Sequence, residues 1–133
     1  MRLLLVDDSV VMLKALSHEF STIAGVDIVG QAKDEAEALE FFQSLKPEVV
    51  VLDICLKRGS GINVLKIIKK KKPTPIVIML TAYPCPQFER KCMELGANYF
   101  FDKLTDIPKV SQTLRELVDQ SKREKSGNHV PKV

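Results

Sequence analysis

The chain has 133 residues, 45% hydrophobic and 28% charged, with a formal net charge of +3. That length supports one domain with a real core and is too short for two, and the balance is that of a globular protein. No apolar stretch reaches the roughly 18 residues of a membrane span, and MRLLLVDD turns acidic too early for a signal peptide. Membrane insertion is therefore not expected. Cys55, Cys85 and Cys92 are odd in number and lack metal-type spacing, so they read as reduced thiols of a cytoplasmic protein. Positive charge gathers at Lys66 and Lys69–Lys72 and again at Lys122, Arg123, Lys125 and Lys132. We read it as a solvated helix end and tail, and direct nucleic-acid binding is not expected of this chain alone.

Short apolar runs and helix-spaced segments alternate along the chain. Residues 2–6 (RLLLV) read as a strand, and 9–22 as a helix with Val10, Leu13, Leu16 and Phe20 at helical spacing, ended by Gly25. Residues 26–31 form a second strand. Asp34 then caps a helix, with Glu37 completing a capping-box pattern. That helix turns Ala38, Leu39, Phe42 and Leu45 inward and stops before Pro47. Residues 48–52 are a third strand, RGSG is a loop, and 62–71 a helix with Ile62, Leu65 and Ile68 on one face, broken by Pro73 and Pro75. A fourth strand covers 76–80. Pro86 opens the next helix, which ends at Gly96. Residues 98–101 are a fifth strand. The last helix runs from about 106 to 121 with Val110, Leu114, Leu117 and Val118 inward. Residues 1–121 are thus one domain, and 122–133 a C-terminal tail or the start of a linker.

Strands alternating with single helices imply a parallel sheet with right-handed crossovers. In such a sheet, functional side chains gather at the carboxyl ends of the strands. Asp7 and Asp8 end the first run, Asp53 the third and Thr81 the fourth, while Lys103 follows the fifth. Three carboxylates, a hydroxyl and an ammonium should therefore meet at one edge, a set able to hold a divalent cation and a phosphoryl group.

These motifs, with Ala82 after Thr81, Gly61 eight residues past Asp53 and Gly96-Ala97 before the fifth strand, closely resemble the receiver domain of bacterial two-component response regulators. The resemblance covers residues 1–120 and suggests the single-domain chemotaxis or sporulation type. It implies a flavodoxin-like α/β fold, a (βα)5 three-layer sandwich with strand order 2-1-3-4-5. It also implies that Asp53 takes a phosphoryl group from a sensor histidine kinase or a histidine phosphotransfer protein. Mg²⁺ (or Mn²⁺) would sit on Asp8, Asp53 and the backbone carbonyl of Cys55, with Asp7 acting through water; such hard oxygen donors suit that ion. Lys103 and Thr81 would hold phosphoryl oxygens. Thr81 and Phe100 would form the switch, acting on an output surface at about residues 86–121 that binds a downstream protein. The resemblance leaves both a monomer and a phosphorylation-promoted dimer open. It describes a phosphoacceptor that catalyses only its own phosphorylation and dephosphorylation, and is not best classed as an enzyme.

The chain departs from the family at two places. Leu104 replaces the proline that usually follows the lysine through a cis bond. A cis bond before a non-proline residue costs about 2.5–4 kcal/mol, so a trans Lys103–Leu104 bond and a shifted loop are expected, with the effect on the Lys103 ammonium left open. Lys57 stands where proline is frequent and is followed by Arg58; both read as solvated loop charges. Cys55 and Tyr83 hold the positions said to tune dephosphorylation, and Tyr83 would obstruct the attacking water. Two other readings stay open: the N-terminal receiver of a longer DNA-binding regulator, and a receiver-like module that binds partners without phosphorylation. A flavin carrier of similar topology is set aside, because the carboxylates of DDSVVM would repel a phosphate lacking a metal.

Overall fold

The structure, a computed structural model, describes residues 1–127. Its elements are β1 (Arg2–Val6), α1 (Val10–Ser21), β2 (Asp27–Ala32), α2 (Glu35–Leu45), β3 (Val49–Leu52), α3 (Gly61–Ile68), β4 (Ile76–Thr81), α4 (Pro86–Glu94), β5 (Tyr99–Asp102) and α5 (Ile107–Gly127). The strands form one five-stranded sheet of order β2-β1-β3-β4-β5. Every neighbouring pair is parallel. The expected flavodoxin-like order is therefore present, and each strand lies within a residue of its expected bounds.

Alternation along the strands divides the core into two layers. Leu4, Val6, Val50, Leu52, Val77 and Met79 pack with Ala38 of α2, with Val64, Leu65 and Ile68 of α3, and with Cys92 of α4. Their neighbours Leu3, Leu5, Val49, Val51, Ile78 and Leu80 pack with Leu13, Leu16 and Phe20 of α1, and with Val110, Leu114 and Leu117 of α5. The central strands β1, β3 and β4 are thus buried on both faces, which is why they read as continuous apolar runs. Val10 is the exception to the expected α1 face. It lies at the helix entrance and is half exposed, at 49%.

Two helix ends differ from expectation. The third helix stops at Ile68 rather than 71. Beyond it, Lys70 and Lys71 N–H donate to the carbonyls of Ile67 and Ile68 in tight three-residue turns, as the chain bends toward Pro73, before which α geometry is disfavoured. Lys69, expected among solvated lysines, instead sends its ammonium to the Pro75 carbonyl at 2.8 Å and to Asn98 Oδ1 at 2.7 Å, and burial lowers its pKa. The last helix continues past 121 to Gly127. Past the first turn, which holds Pro108, no proline or glycine occurs before that residue, so the boundary placed at 121 falls inside a helix. The rest of the expected tail, residues 128–133 with His129, lies outside the described residues.

Candidate functional site

The site lies at the carboxyl edge of β1, β3, β4 and β5, and the local sequence explains each placement. Asp7 continues the sheet by donating its N–H to the Ala32 carbonyl, and Asp53 does the same to the Val6 carbonyl, both at 3.0 Å. The two side chains are therefore set by the strand ladder. Ser9, and not Asp8, caps α1: its hydroxyl accepts the Met12 N–H at 3.1 Å. That leaves the Asp8 carboxylate available to the site. Asp7, Asp8 and Asp53 each offer an oxygen, and these atoms all lie within 4.8 Å of one another.

Lys103 closes the constellation. Its ammonium is 2.5 Å from Asp7 Oδ2 and 2.6 Å from Asp53 Oδ2, with the residue only 9% exposed. Among the described residues the cis peptide is the one preceding Pro73, so the Lys103–Leu104 bond is trans, as expected. With that bond trans, the ammonium still reaches both Asp7 and Asp53. The other Asp7 oxygen accepts the Ser9 N–H at 2.9 Å. Asp53 Oδ1 is approached by the Cys55 N–H at 3.4 Å.

The electrostatics follow from burial and crowding. Burial raises the Asp53 pKa, the Asp7 charge adds to the rise, and Lys103 only partly offsets it. For Lys103, burial pulls downward, but the hydrogen bonds and charges of Asp53 and Asp7 outweigh it and hold the ammonium above its usual value. Three carboxylates face one ammonium, so a formal charge of about −2 remains at an edge partly removed from water. Octahedral Mg²⁺ holds oxygens at about 2.1 Å, so its opposite ligands stand about 4.2 Å apart. A carboxylate set no wider than 4.8 Å closes on such an ion with small side-chain rotations, and all its donors are hard oxygens.

Thr81 is fully buried at the end of β4, and its hydroxyl oxygen accepts the Tyr83 N–H at 3.2 Å. Its carbonyl accepts the Lys103 N–H at 2.8 Å, while its hydroxyl makes no hydrogen bond to the side chain of Asp53 or Lys103. Phe100 faces the α2–α4 layer, half-buried beside Met79, its register partner on β4. Cys55 and Tyr83 are exposed, Tyr83 at 68%. Lys57 and Arg58 are exposed, as expected of solvated loop charges. A cavity of about 780 Å³ lies at the opposite edge of the sheet, lined by Leu39, Phe42, Lys46, Ile67 and Ile76 among others, and contains none of the site residues.

Two supports of the site stand out. A Cβ on Gly61 would lie 1.8 Å from the Asp53 carbonyl oxygen, so the first turn of α3 rests directly on the backbone of Asp53 and position 61 must be glycine. Glu35, which sequence reasoning missed beside its neighbours Asp34 and Glu37, pins the β3–α3 loop. Its carboxylate accepts the Ser60 N–H at 2.9 Å and the Asn63 amide at 2.6 Å, and its own N–H donates to the Arg58 carbonyl. The only sequence signal was its place in the first turn of a capped helix.

A doubly wound parallel sheet with an acidic triad and a buried lysine at its carboxyl edge defines a class of signalling domain. The response regulator receiver domain family matches residues 3–115, and the chain belongs to it. It is 37% identical over 121 residues to a protein-glutamate methylesterase/protein-glutamine glutaminase of Pyrococcus abyssi, covering 90% of this chain and 32% of that protein. The chain spans about a third of the length of the methylesterase relatives it matches. Its fold superposes on the response regulator domain of Thermotoga maritima CheB with a TM-score of 0.78 at 32% identity, covering 90% of this chain and 94% of that one. It also superposes on a chain of the Borrelia burgdorferi CheX–CheY–BeF3–Mg complex, with a TM-score of 0.78 at 30% identity and 88% of each chain covered. None of the helices described is long and apolar enough to cross a membrane.

Proposed function

We propose that Asp53 is the phosphoacceptor of this receiver, taking its phosphoryl group from a histidine kinase or a histidine phosphotransfer protein. The observation that carries this reading is the Lys103 ammonium held 2.6 Å from Asp53 and 2.5 Å from Asp7 at an edge with three carboxylates. Asp53 attacks the phosphorus through a carboxylate oxygen. The P–N bond to the donor imidazole breaks as the O–P bond forms, and the electron pair leaves with the imidazole nitrogen. Lys103 exchanges part of its contact with Asp53 for a phosphoryl oxygen, so the ammonium already stands where charge develops. Mg²⁺ (or Mn²⁺), held by Asp8, Asp53 and the Cys55 carbonyl with Asp7 through water, would neutralise charge on the phosphoryl oxygens. The similar CheX–CheY complex of Borrelia burgdorferi contains Mg²⁺ together with BeF3, which supports that assignment.

Thr81 would release the Tyr83 N–H and donate its hydroxyl to a phosphoryl oxygen, and Phe100 would turn inward behind it. Phe carries no hydroxyl, so that burial involves no polar desolvation, and the phosphoryl group shifts the balance between two existing states. The surface formed by α4, β5 and α5 then meets a downstream protein. Tyr83 and Cys55 stand exposed at the rim, where they would tune dephosphorylation, Tyr83 by obstructing the water that attacks the acyl phosphate. With kinase and target both reached by protein contact, the reading places the chain in the cytoplasm and gives it no substrate beyond its own phosphoryl group. The methylesterase activity named for its longer relatives is not assigned to it.

Intact mass after incubation with acetyl phosphate tests this reading, with and without Mg²⁺, for the native chain and Asp53→Asn. A Mg²⁺-dependent gain of one phosphoryl group, absent in the variant, is expected. A native chain that binds Mg²⁺ yet gains nothing would support the phosphorylation-independent module instead.

A further inference from the structure

The residues around Lys103 form a closed hydrogen-bonded turn. Asp102 Oδ1 accepts the Leu104 N–H at 2.8 Å. The Asp102 carbonyl accepts the Asp106 N–H at 2.8 Å, and Asp106 Oδ2 accepts the Asp102 N–H at 2.9 Å. Asp106 Oδ1 is met by the Thr105 hydroxyl at 3.3 Å and the Lys109 ammonium at 3.4 Å. Asp102 and Asp106 thus lock one another, one at the end of β5 and the other just before α5. Lys103 is held between them, its N–H on the Thr81 carbonyl at 2.8 Å and its side chain turned into the site.

We infer that Asp102 and Asp106 are positioning residues for Lys103, and that the turn they form works through the N–H of residue 104. The inference rests on the phosphoacceptor reading only for its kinetic consequence; the placement of the ammonium stands apart from it. Two facts separate this from an ordinary surface turn. First, the Leu104 side chain is 74% exposed, so position 104 contributes its backbone donor and not its side chain. A proline there has no N–H and would leave Asp102 Oδ1 without the group that fixes it. Second, no hydrogen bond or ion pair among the described residues joins the Asp102 or Asp106 carboxylate to Asp7, Asp8 or Asp53. They act on the site through the backbone that carries Lys103. An Asx-type turn closed by a reciprocal carboxylate is a stiff unit, and it does in a trans loop what holding the lysine requires.

The test reads the ammonium directly. Native protein and variants are treated with a limiting pulse of acetic anhydride, and acetylation of Lys103 is measured by peptide mass spectrometry. Lys69, half-buried at the opposite edge of the sheet, reports general loosening. Asp102→Ala should raise Lys103 labelling about tenfold, the factor one lost hydrogen bond supplies, with Lys69 unchanged. Asp106→Ala should do the same, and decides the matter should Asp102→Ala fail to fold. Leu104→Ala keeps the N–H and Asp102→Asn keeps an acceptor, so both should label as the native chain does. Phosphorylation by acetyl phosphate at saturating Mg²⁺ should slow by a similar factor of about ten in the first group only. Unchanged Lys103 labelling in Asp102→Ala and Asp106→Ala would overturn the inference, and so would Lys69 labelling that rises in step with it. A native chain that is never phosphorylated would sink the reading of Asp53 while leaving the labelling result to judge the turn.

Discussion

Replacing Asp53 by asparagine should stabilise the metal-free protein, although it removes one partner of a buried ion pair. The lost attraction to Lys103 at 2.6 Å is about 6 kcal/mol at an effective dielectric of 20. The relieved repulsion comes from two carboxylates, each with an oxygen within 4.8 Å and each contributing about 3.5 kcal/mol at the same dielectric. Attraction and repulsion nearly cancel. Lys103 is not left alone, because Asp7 remains 2.5 Å away, so the usual penalty for orphaning a buried charge does not apply. Desolvation decides the sign. Asp53 is 5% exposed, and returning its charge to water in the unfolded chain no longer favours unfolding once the charge is gone. The raised Asp53 pKa points the same way, since burial disfavours the charge that asparagine lacks. Net stabilisation of about 1–3 kcal/mol follows, or roughly 3–10 °C in Tm for a domain of this size. Thermal unfolding followed by far-UV circular dichroism in EDTA reads it. Added Mg²⁺ should cancel most of that difference or reverse it: at about 100 times its Kd it stabilises the native chain by about 2.7 kcal/mol and the variant by much less. A metal-free Tm for Asp53→Asn at or below the native value would refute the account of the site as an overcrowded acidic cluster awaiting a cation.

Three further outcomes follow from the same geometry. Gly61→Ala drives a Cβ into the Asp53 carbonyl oxygen 1.8 Å away; overpacking against backbone should lower stability by about 3 kcal/mol in urea titration and weaken Mg²⁺ binding with it. Glu35→Ala leaves the Ser60 N–H and the Asn63 amide without their acceptor. A loss of about 1–3 kcal/mol is expected, along with faster hydrogen exchange at Ser60. Cys92 is fully buried and its thiol is pushed up to about 11, so at mildly alkaline pH a thiol reagent should modify exposed Cys55 readily and reach Cys92 only after denaturation.

How far this structure was legible depended on the range of the interaction. Strand placement needed only local apolar runs such as EVVVL, because strands buried on both faces have no polar side to disguise them. The site residues were legible because topology sends every strand end to the same edge, so Asp7, Asp53, Thr81 and Lys103 meet without any knowledge of side-chain packing. The errors arose where a residue's partner lies far along the chain. Lys69 looked like one of five solvated lysines, yet it bonds Asn98, 29 residues on. Glu35 looked like a helix-start acid, yet its acceptors serve Ser60 and Asn63, 25 and 28 residues on. The effect of Leu104 on Lys103 stayed open for a different reason. The missing proline reads as a loss, whereas the N–H that proline lacks is the donor Asp102 uses. Local sequence contained all of that lock within five residues, DKLTD. Reading it required weighing the group that a substitution restores as well as the constraint it removes. An exposed hydrophobe at position 104 is therefore better understood through its backbone than through its side chain.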